Sequence, residues 1–226
     1  MDRIKLRKNL LLLKRGKFKR FFEVVLGTIS LKQLSFIFFY CRFFVLSYLI
    51  PKNNIKHGLK SICTRFAQVG ELDKLNKLKA DEEYPSRFDK GDICVVAETE
   101  GQIIGMEWIQ HNKDREGGVD YVISLPKDSV WLHDGYVEPS YRLRGVWVNL
   151  MFEIINYCQK KLIKNAYTLI YSGNEISINT HKRYGFKIEK EVTYLRILGI
   201  NIHSERIFAA TPPKTRFAIS YSLRKR

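Results

Sequence analysis

From residue 61 to residue 209 the apolar positions recur with a period that switches between two and three to four, which is the signature of alternating strands and helices. Residues 61–68 are expected as a strand, and 70–80 as a helix with Leu72, Leu75 and Leu78 on one side. Residues 93–98 and 103–110 flank Glu100-Gly101-Gln102 and predict a hairpin. Residues 112–118 form a polar loop that ends in glycine, placed over an acceptor site or simply solvated. An extended run over 130–137 stops at Glu138-Pro139. A helix follows over 146–162, with Leu150, Ile154, Tyr157 and Cys158 at core spacing. Residues 166–171 predict a strand, and 174–184 a helix ended by Gly185. Residues 187–200 and 202–209 predict a closing hairpin around Gly199. Pro212-Pro213 then breaks regular structure, and the basic end is expected as a frayed tail.

The first fifty residues follow another pattern. Met1 to Arg20 carry nine Lys/Arg, at positions 3, 5, 7, 8, 14, 15, 17, 19 and 20, against the single acid Asp2, with Leu10 to Leu13 interleaved. Residues 34–50 are almost wholly apolar and aromatic, with Arg42 as the one charge. Together these stretches predict a helical arm at an anionic membrane surface, with Phe36, Phe38, Phe39, Phe43 and Phe44 at the acyl boundary. A helix of that length stands at the lower limit for crossing a bilayer, but a single crossing would export the most basic part of the chain. The late run, carrying Arg42 and lacking a small-residue cleavage site, does not suit a signal peptide. A helix docked on the rest of the protein or on a partner subunit is the competing reading. The expected organisation is an arm over 1–56, a catalytic domain over 57–211 and a basic tail over 212–226.

Composition narrows the class. The chain has 226 residues, 45% of them hydrophobic, enough for one good core. Its net charge of +16 lies largely in the arm, beside apolar stretches, which suits a lipid interface better than a solvated nucleic-acid tail. No nucleic-acid-binding motif is present, so no specific nucleic-acid partner is expected. Cys41, Cys63, Cys94 and Cys158 show no paired spacing and are expected as reduced thiols. The five histidines are too dispersed for a metal motif, and no metal is expected.

The chemistry concentrates in residues 130–186. Where a strand turns through a basic, glycine-containing loop into a helix, unpaired backbone N–H groups and the helix dipole face an incoming anion, and phosphate is the natural guest. Arg142 and Arg144 add charge at the mouth, and Gly145 permits close approach to the backbone. On an ideal strand Trp131, His133, Gly135 and Val137 share one face, and Leu132, Asp134 and Tyr136 the other. Further on, Ser177, His181 and Tyr184 form one stripe of a helix.

The segment Arg142-Leu-Arg-Gly145-Val-Trp147, followed by Asn174, Ser177, His181 and Gly185-Phe186, resembles the GNAT family of N-acetyltransferases over roughly residues 60–200. Distantly, it is also similar to members associated with bacterial surface-glycan synthesis. The resemblance implies an α/β acyl-CoA N-acyltransferase fold, a central mixed twisted sheet flanked by helices, with the helical arm added at the N-terminus. It implies that Arg142, Leu143, Arg144, Gly145, Val146 and Trp147 line the pyrophosphate site of acetyl-CoA or a longer acyl-CoA. Val137, Asn174 and Ser177 would border the cofactor arm, which a splayed strand pair receives. Trp147 replaces the small residue usual there. His181 stands where many members place the tyrosine that protonates the leaving thiolate.

The implied mechanism is direct transfer. A base takes a proton from the amine, a backbone N–H polarises the thioester carbonyl, and an acid protonates the sulfur. His133 is the first candidate base, Asp134 the second and Glu107 the third; His181 or Tyr184 is the candidate acid. The acceptor is expected to be a primary amine of an amino sugar, of a glycan or lipid-linked precursor, or of a lipid-like metabolite. The enzyme is expected in the cytoplasm, peripheral on the inner face of the membrane, with a homodimer allowed. Two other readings stand beside it. One is a long-chain N-acyl amino acid synthase, in which residues 34–50 serve a hydrophobic donor. The other is a degenerate, non-catalytic scaffold of the same fold, for which Trp147 is the main support.

Overall fold

The computed structural model describes residues 38–53, 62–111, 113, 115–116, 119–198, 200–208 and 214–221. Among them a nine-stranded sheet runs in the order β11-β10-β9-β1-β8-β7-β4-β3-β2. The strands are β1 (Phe38–Leu49), β2 (Cys63–Phe66), β3 (Ile93–Thr99), β4 (Gln102–Gln110), β7 (Ser129–Val137), β8 (Asn165–Tyr171), β9 (Lys187–Ile197), β10 (Ile200–Ile207) and β11 (Lys214–Tyr221). A small separate pair is made by β5 (Arg115–Glu116) and β6 (Tyr121–Val122), inside the stretch expected as a plain loop and just after it. The helices are α1 (Leu72–Leu78), α2 (Tyr84–Asp89), α3 (Val146–Lys160) and α4 (Glu175–Tyr184).

Pairing is antiparallel throughout, except that β7 and β8 run parallel. On one face, α3 buries Val146, Leu150, Met151, Ile154, Ile155 and Cys158 against Val95, Ala97, Ile104, Ile109, Val130 and Leu132. Phe186 and Ile178, beside and within α4, complete that core. The other face is covered in two parts. Beside α1 and α2, Leu75 and Tyr84 pack on Cys94, Val96, Met106 and Trp108. Further along the sheet, Val119, Tyr121 and Ile123 cover Phe43, Trp131, Val192 and Tyr194.

Two expectations are corrected. Residues 38–49 are a strand, not part of a helical arm: β1 lies between β8 and β9, far from its sequence neighbours. Phe43 and Val45 point into one core while Leu46 joins the other, so a central strand covered on both faces shows a continuous apolar run. Its Phe, Tyr and Val content favours the extended form. Arg42 is accommodated because it sits towards the open end of the strand and pairs with Glu191 at 3.3 Å. Within the stretch expected as a frayed tail, Lys214–Tyr221 form β11, paired with β10 along its whole length. Arg216, exposed on that edge strand, carries a charge that discourages further pairing. The remainder of the expected arm, residues 1–37 and 54–56, lies outside the described residues, as do Gly199, Pro212-Pro213 and residues 222–226.

Candidate active site

The parallel pairing of β7 with β8 stops at Leu132 and Thr168. Beyond it the strands part, and the backbone edge of β7 from His133 to Val137 is left without a strand partner on that side. This wedge opens at the carboxyl ends of the two parallel strands, where the 139–145 loop enters α3 and where α4 begins.

Gly145 caps α3 in the left-handed region at φ 76°, which a glycine takes without steric cost. Its carbonyl is held twice by Asn149, by the backbone amide at 3.1 Å and by the side-chain amide at 3.2 Å. The first amides of α3 therefore point into the mouth of the wedge with no intrahelical acceptor. Arg142 is committed to the loop itself, donating from Nε to the Val137 carbonyl at 3.0 Å. Arg144 stands over the Tyr141 ring at 5.6 Å, and Leu143 is fully exposed at φ 62°.

The alternation expected along β7 is corrected by a bulge. Asp134 and Gly135 together oppose Glu107, with Asp134 at φ 55°. His133 and Asp134 consequently face α1 and α2, while Val137 faces α3. His133 packs on Trp108 at 6.4 Å between ring centroids, with Asp92 3.7 Å from its Nε2. Asp134 is held by Lys79 and by Arg87, the latter at 2.6 Å. Burial alone would raise its pKa, but these two cations hold the carboxyl below the ordinary aspartate value. An ionised group so occupied is poorly placed to accept a further proton.

Glu107 lies on the other face, beneath the bulge and against the first turn of α3. It is 4% exposed, and burial pushes its pKa up to about 8, offset in part by the Trp147 indole N–H donating to Oε2 at 3.2 Å. Gly135 makes this seat: a Cβ there would stand 2.1 Å from Oε2. The sequence reading set Gly135 on the face of a regular strand and did not single out Asn149, although an isolated glycine inside a strand pattern is a bulge signal.

Across the wedge, Asn174 caps α4, its Oδ1 accepting from the Ser177 amide at 3.2 Å. His181 Nδ1 lies 2.8 Å from the Ser177 carbonyl and so carries the proton in that bond. Burial lowers its pKa, the carbonyl bond acting in the opposite sense. In this state Nε2 is an acceptor, so His181 has no proton to give there. Its ring is buried against Trp147 at 4.5 Å and Phe186 at 4.9 Å. Tyr184 touches Trp147 at 5.2 Å and Tyr48 at 5.5 Å, and burial raises its pKa, so its hydroxyl stays protonated at neutral pH. The Trp147 indole thus reaches from Glu107 on β4 to the rings of α4 and spans the base of the wedge. Among the described residues no group of three His, Cys, Asp or Glu side chains is arranged to hold a metal.

The family described as "Acetyltransferase (GNAT) family" matches residues 59–186. No curated protein matches the chain. Among solved structures, a functionally unknown conserved protein from Staphylococcus epidermidis superposes with a TM-score of 0.51 at 8% identity, covering 73% of this chain and 64% of that one. The present chain therefore spans less than two thirds of that neighbour. A GNAT family acetyltransferase from Elizabethkingia anophelis with acetyl-CoA bound gives a TM-score of 0.44 at 14% identity, covering 57% and 78%. The aminoglycoside N-acetyltransferase AAC(6')-Iy in complex with CoA gives 0.45 at 22% identity, covering 55% and 91%.

Proposed function

The chain belongs to the GNAT acetyltransferase family, an acyl-CoA-dependent class of N-acyltransferases, and from that premise we propose that it moves an acetyl group directly to a primary amine with Glu107 as the base. The observation that carries this reading is the buried Glu107 carboxyl beneath the bulge between β4 and β7, beside the edge where β7 parts from β8 and close to the loop that opens α3. A base with a pKa of about 8 is matched to an alkylammonium acceptor near neutral pH.

In this reading the pyrophosphate meets the first amides of α3 and the Arg144 guanidinium, and the pantetheine arm lies along the unpaired edge of β7. A backbone N–H of that edge donates to the thioester oxygen as charge develops there. Glu107 takes one proton from the acceptor's ammonium, the freed amine nitrogen bonds to the carbonyl carbon, and the C–S bond breaks with sulfur leaving as thiolate. Tyr184 gives its proton to that sulfur and is restored by the second proton released from the nitrogen, so that neutral amide and free thiol result. His181 orients Trp147, which closes the base of the wedge and favours a short acyl chain. The acetyl reading is preferred to the long-chain one because residues 43–49, part of the run that the latter assigns to a hydrophobic donor, are held between β8 and β9.

The acceptor is proposed to be an amino sugar or a glycan or lipid precursor, met by a cytoplasmic enzyme at the inner membrane face. The support is the arm, which keeps nine cations in its first twenty residues. No helix among the described residues is long and apolar enough to cross a membrane.

Calorimetric titration with acetyl-CoA and with a long-chain acyl-CoA tests the donor. Wild type is expected to bind acetyl-CoA, and Arg144→Ala to bind it about tenfold more weakly, a loss of about 1.4 kcal/mol. Unchanged affinity in that variant would remove the loop from the pyrophosphate site. No binding by folded wild type would return the non-catalytic scaffold reading. Tyr184→Phe is expected to lower kcat about tenfold or more while leaving the acetyl-CoA KM within about twofold. A His181→Phe variant that loses more turnover than Tyr184→Phe would reassign the acid.

A further inference from the structure

β1 pairs with β8 only from Phe43 onward, but with β9 from Phe38, so five residues of β1 run past the end of β8. At about 3.3 Å per residue the ribbon of β1, β9 and β10 projects about 17 Å beyond it. It does so at the end of the sheet where the wedge opens. One face of the ribbon is covered: Phe39 packs on Tyr194 at 5.8 Å, Tyr194 bonds Asn201, and His203 bonds the Val119 carbonyl.

The opposite face carries two cross-strand rows, Phe38–Ile197–Ile200 and Tyr40–Leu195–Ile202. All six are apolar or aromatic, and none is fully buried. Phe38 is 58% exposed, Tyr40 54%, and Leu198 at the turn 68%. The next row, Arg42–Thr193–Ser204, is polar, with Arg42 paired to Glu191, so the apolar patch has a defined boundary. Contiguous apolar surface of this kind marks a contact site.

We infer that this ribbon face seats on an anionic lipid surface, an inference that rests on the membrane reading above and assigns its contact to the folded domain. Three features favour lipid as the occupant. Phe and Tyr are suited to the boundary between water and acyl chains. The chain preceding Phe38 joins the patch directly, and its 37 residues hold ten Lys/Arg against two acids. Such a basic segment is drawn to anionic headgroups and would deliver the patch to the same surface. The mouth of the wedge stands at this end of the sheet, so a lipid-linked amine would meet the enzyme on the correct side.

The test is co-sedimentation of the full chain with vesicles of phosphatidylcholine, with and without phosphatidylglycerol. Ile197→Asp and Phe38→Ser are compared with wild type, and acetyl-CoA titration serves as the control for folding. Wild type is expected to partition to the phosphatidylglycerol vesicles. Each variant should partition at least about tenfold less while binding acetyl-CoA as wild type does. Variants that partition like wild type would overturn the ribbon contact and leave membrane attachment to the basic segment alone. Wild type that ignores both kinds of vesicle would overturn the membrane reading itself. A dimer in solution that Ile197→Asp dissociates would assign the face to a second copy instead of lipid.

Discussion

Glu107→Gln lowers kcat by about 10²–10³-fold, with the acetyl-CoA KM held within about threefold, because the substitution removes a proton acceptor without changing the shape of its seat. The amide keeps an oxygen for the Trp147 indole N–H, now 3.2 Å from the carboxylate. The pH dependence separates a base from a packing group. In wild type kcat/KM climbs with pH towards a limb near 8, the value to which burial raises the Glu107 carboxyl, since only the ionised form accepts the amine proton. In the variant that limb disappears. Stability changes in the opposite sense. A folded-state pKa above the ordinary value of 4.5 favours the protonated form in the folded protein. The associated stability is fully present below 4.5 and is lost as pH rises through about 8. Glu107→Gln is therefore more resistant to urea than wild type at pH 9, by on the order of a few kcal/mol, with a smaller difference at pH 5. A variant with full turnover, or with the alkaline limb intact, would return the role to His133.

Phe43→Ala destabilises the protein by about 3–5 kcal/mol, whereas Phe38→Ala changes its stability in the absence of lipid by less than about 0.5 kcal/mol. Both residues belong to one apolar run, so the contrast tests where that run sits. Phe43 is fully buried in the sheet and meets Tyr121 edge-on at 5.3 Å and Tyr171 at 6.3 Å. It pairs with Tyr171 on one side and Val192 on the other, so the cavity left by truncation lies between two long-range contacts that cannot collapse onto it. Phe38 is 58% exposed, on the opposite face of the ribbon. Urea unfolding of the two variants gives the comparison directly. Equal, small losses would place the run outside the folded core.

The difference between Phe43 and Phe38 also shows where sequence reasoning reached its limit. A run of aromatic and aliphatic residues broken by one arginine fits a lipid-facing helix and a central strand equally well. A strand covered on both faces loses the alternation that would identify it. Only the pairing with β8 and β9, more than a hundred residues away in the chain, decides between the two. The same holds for β11, whose partner supplies the hydrogen bonds that its basic sequence does not advertise.

The candidate site divides along similar lines. Arg142 to Trp147 and the Asn174 cap are local features, strand to loop to helix and loop to helix, and their residue types specify the geometry within a few positions. The family followed from them, and hydrophobic periodicity supplied most of the order of strands and helices from 61 to 186, missing only the short helix Tyr84–Asp89 and the β5–β6 pair. The ranking of Glu107, His133 and Asp134 did not. It depends on the bulge at Asp134-Gly135, which turns His133 and Asp134 to one face and leaves Glu107 on the other, and on Lys79 and Arg87, which occupy Asp134 from distant helical segments. The sequence by itself determined the local backbone devices and the family, because capping, turn and periodicity rules act over a few residues. The tertiary structure alone decided which carboxyl is buried without a cation and which apolar run becomes core, because burial and ion pairing are set by segments that meet only on folding.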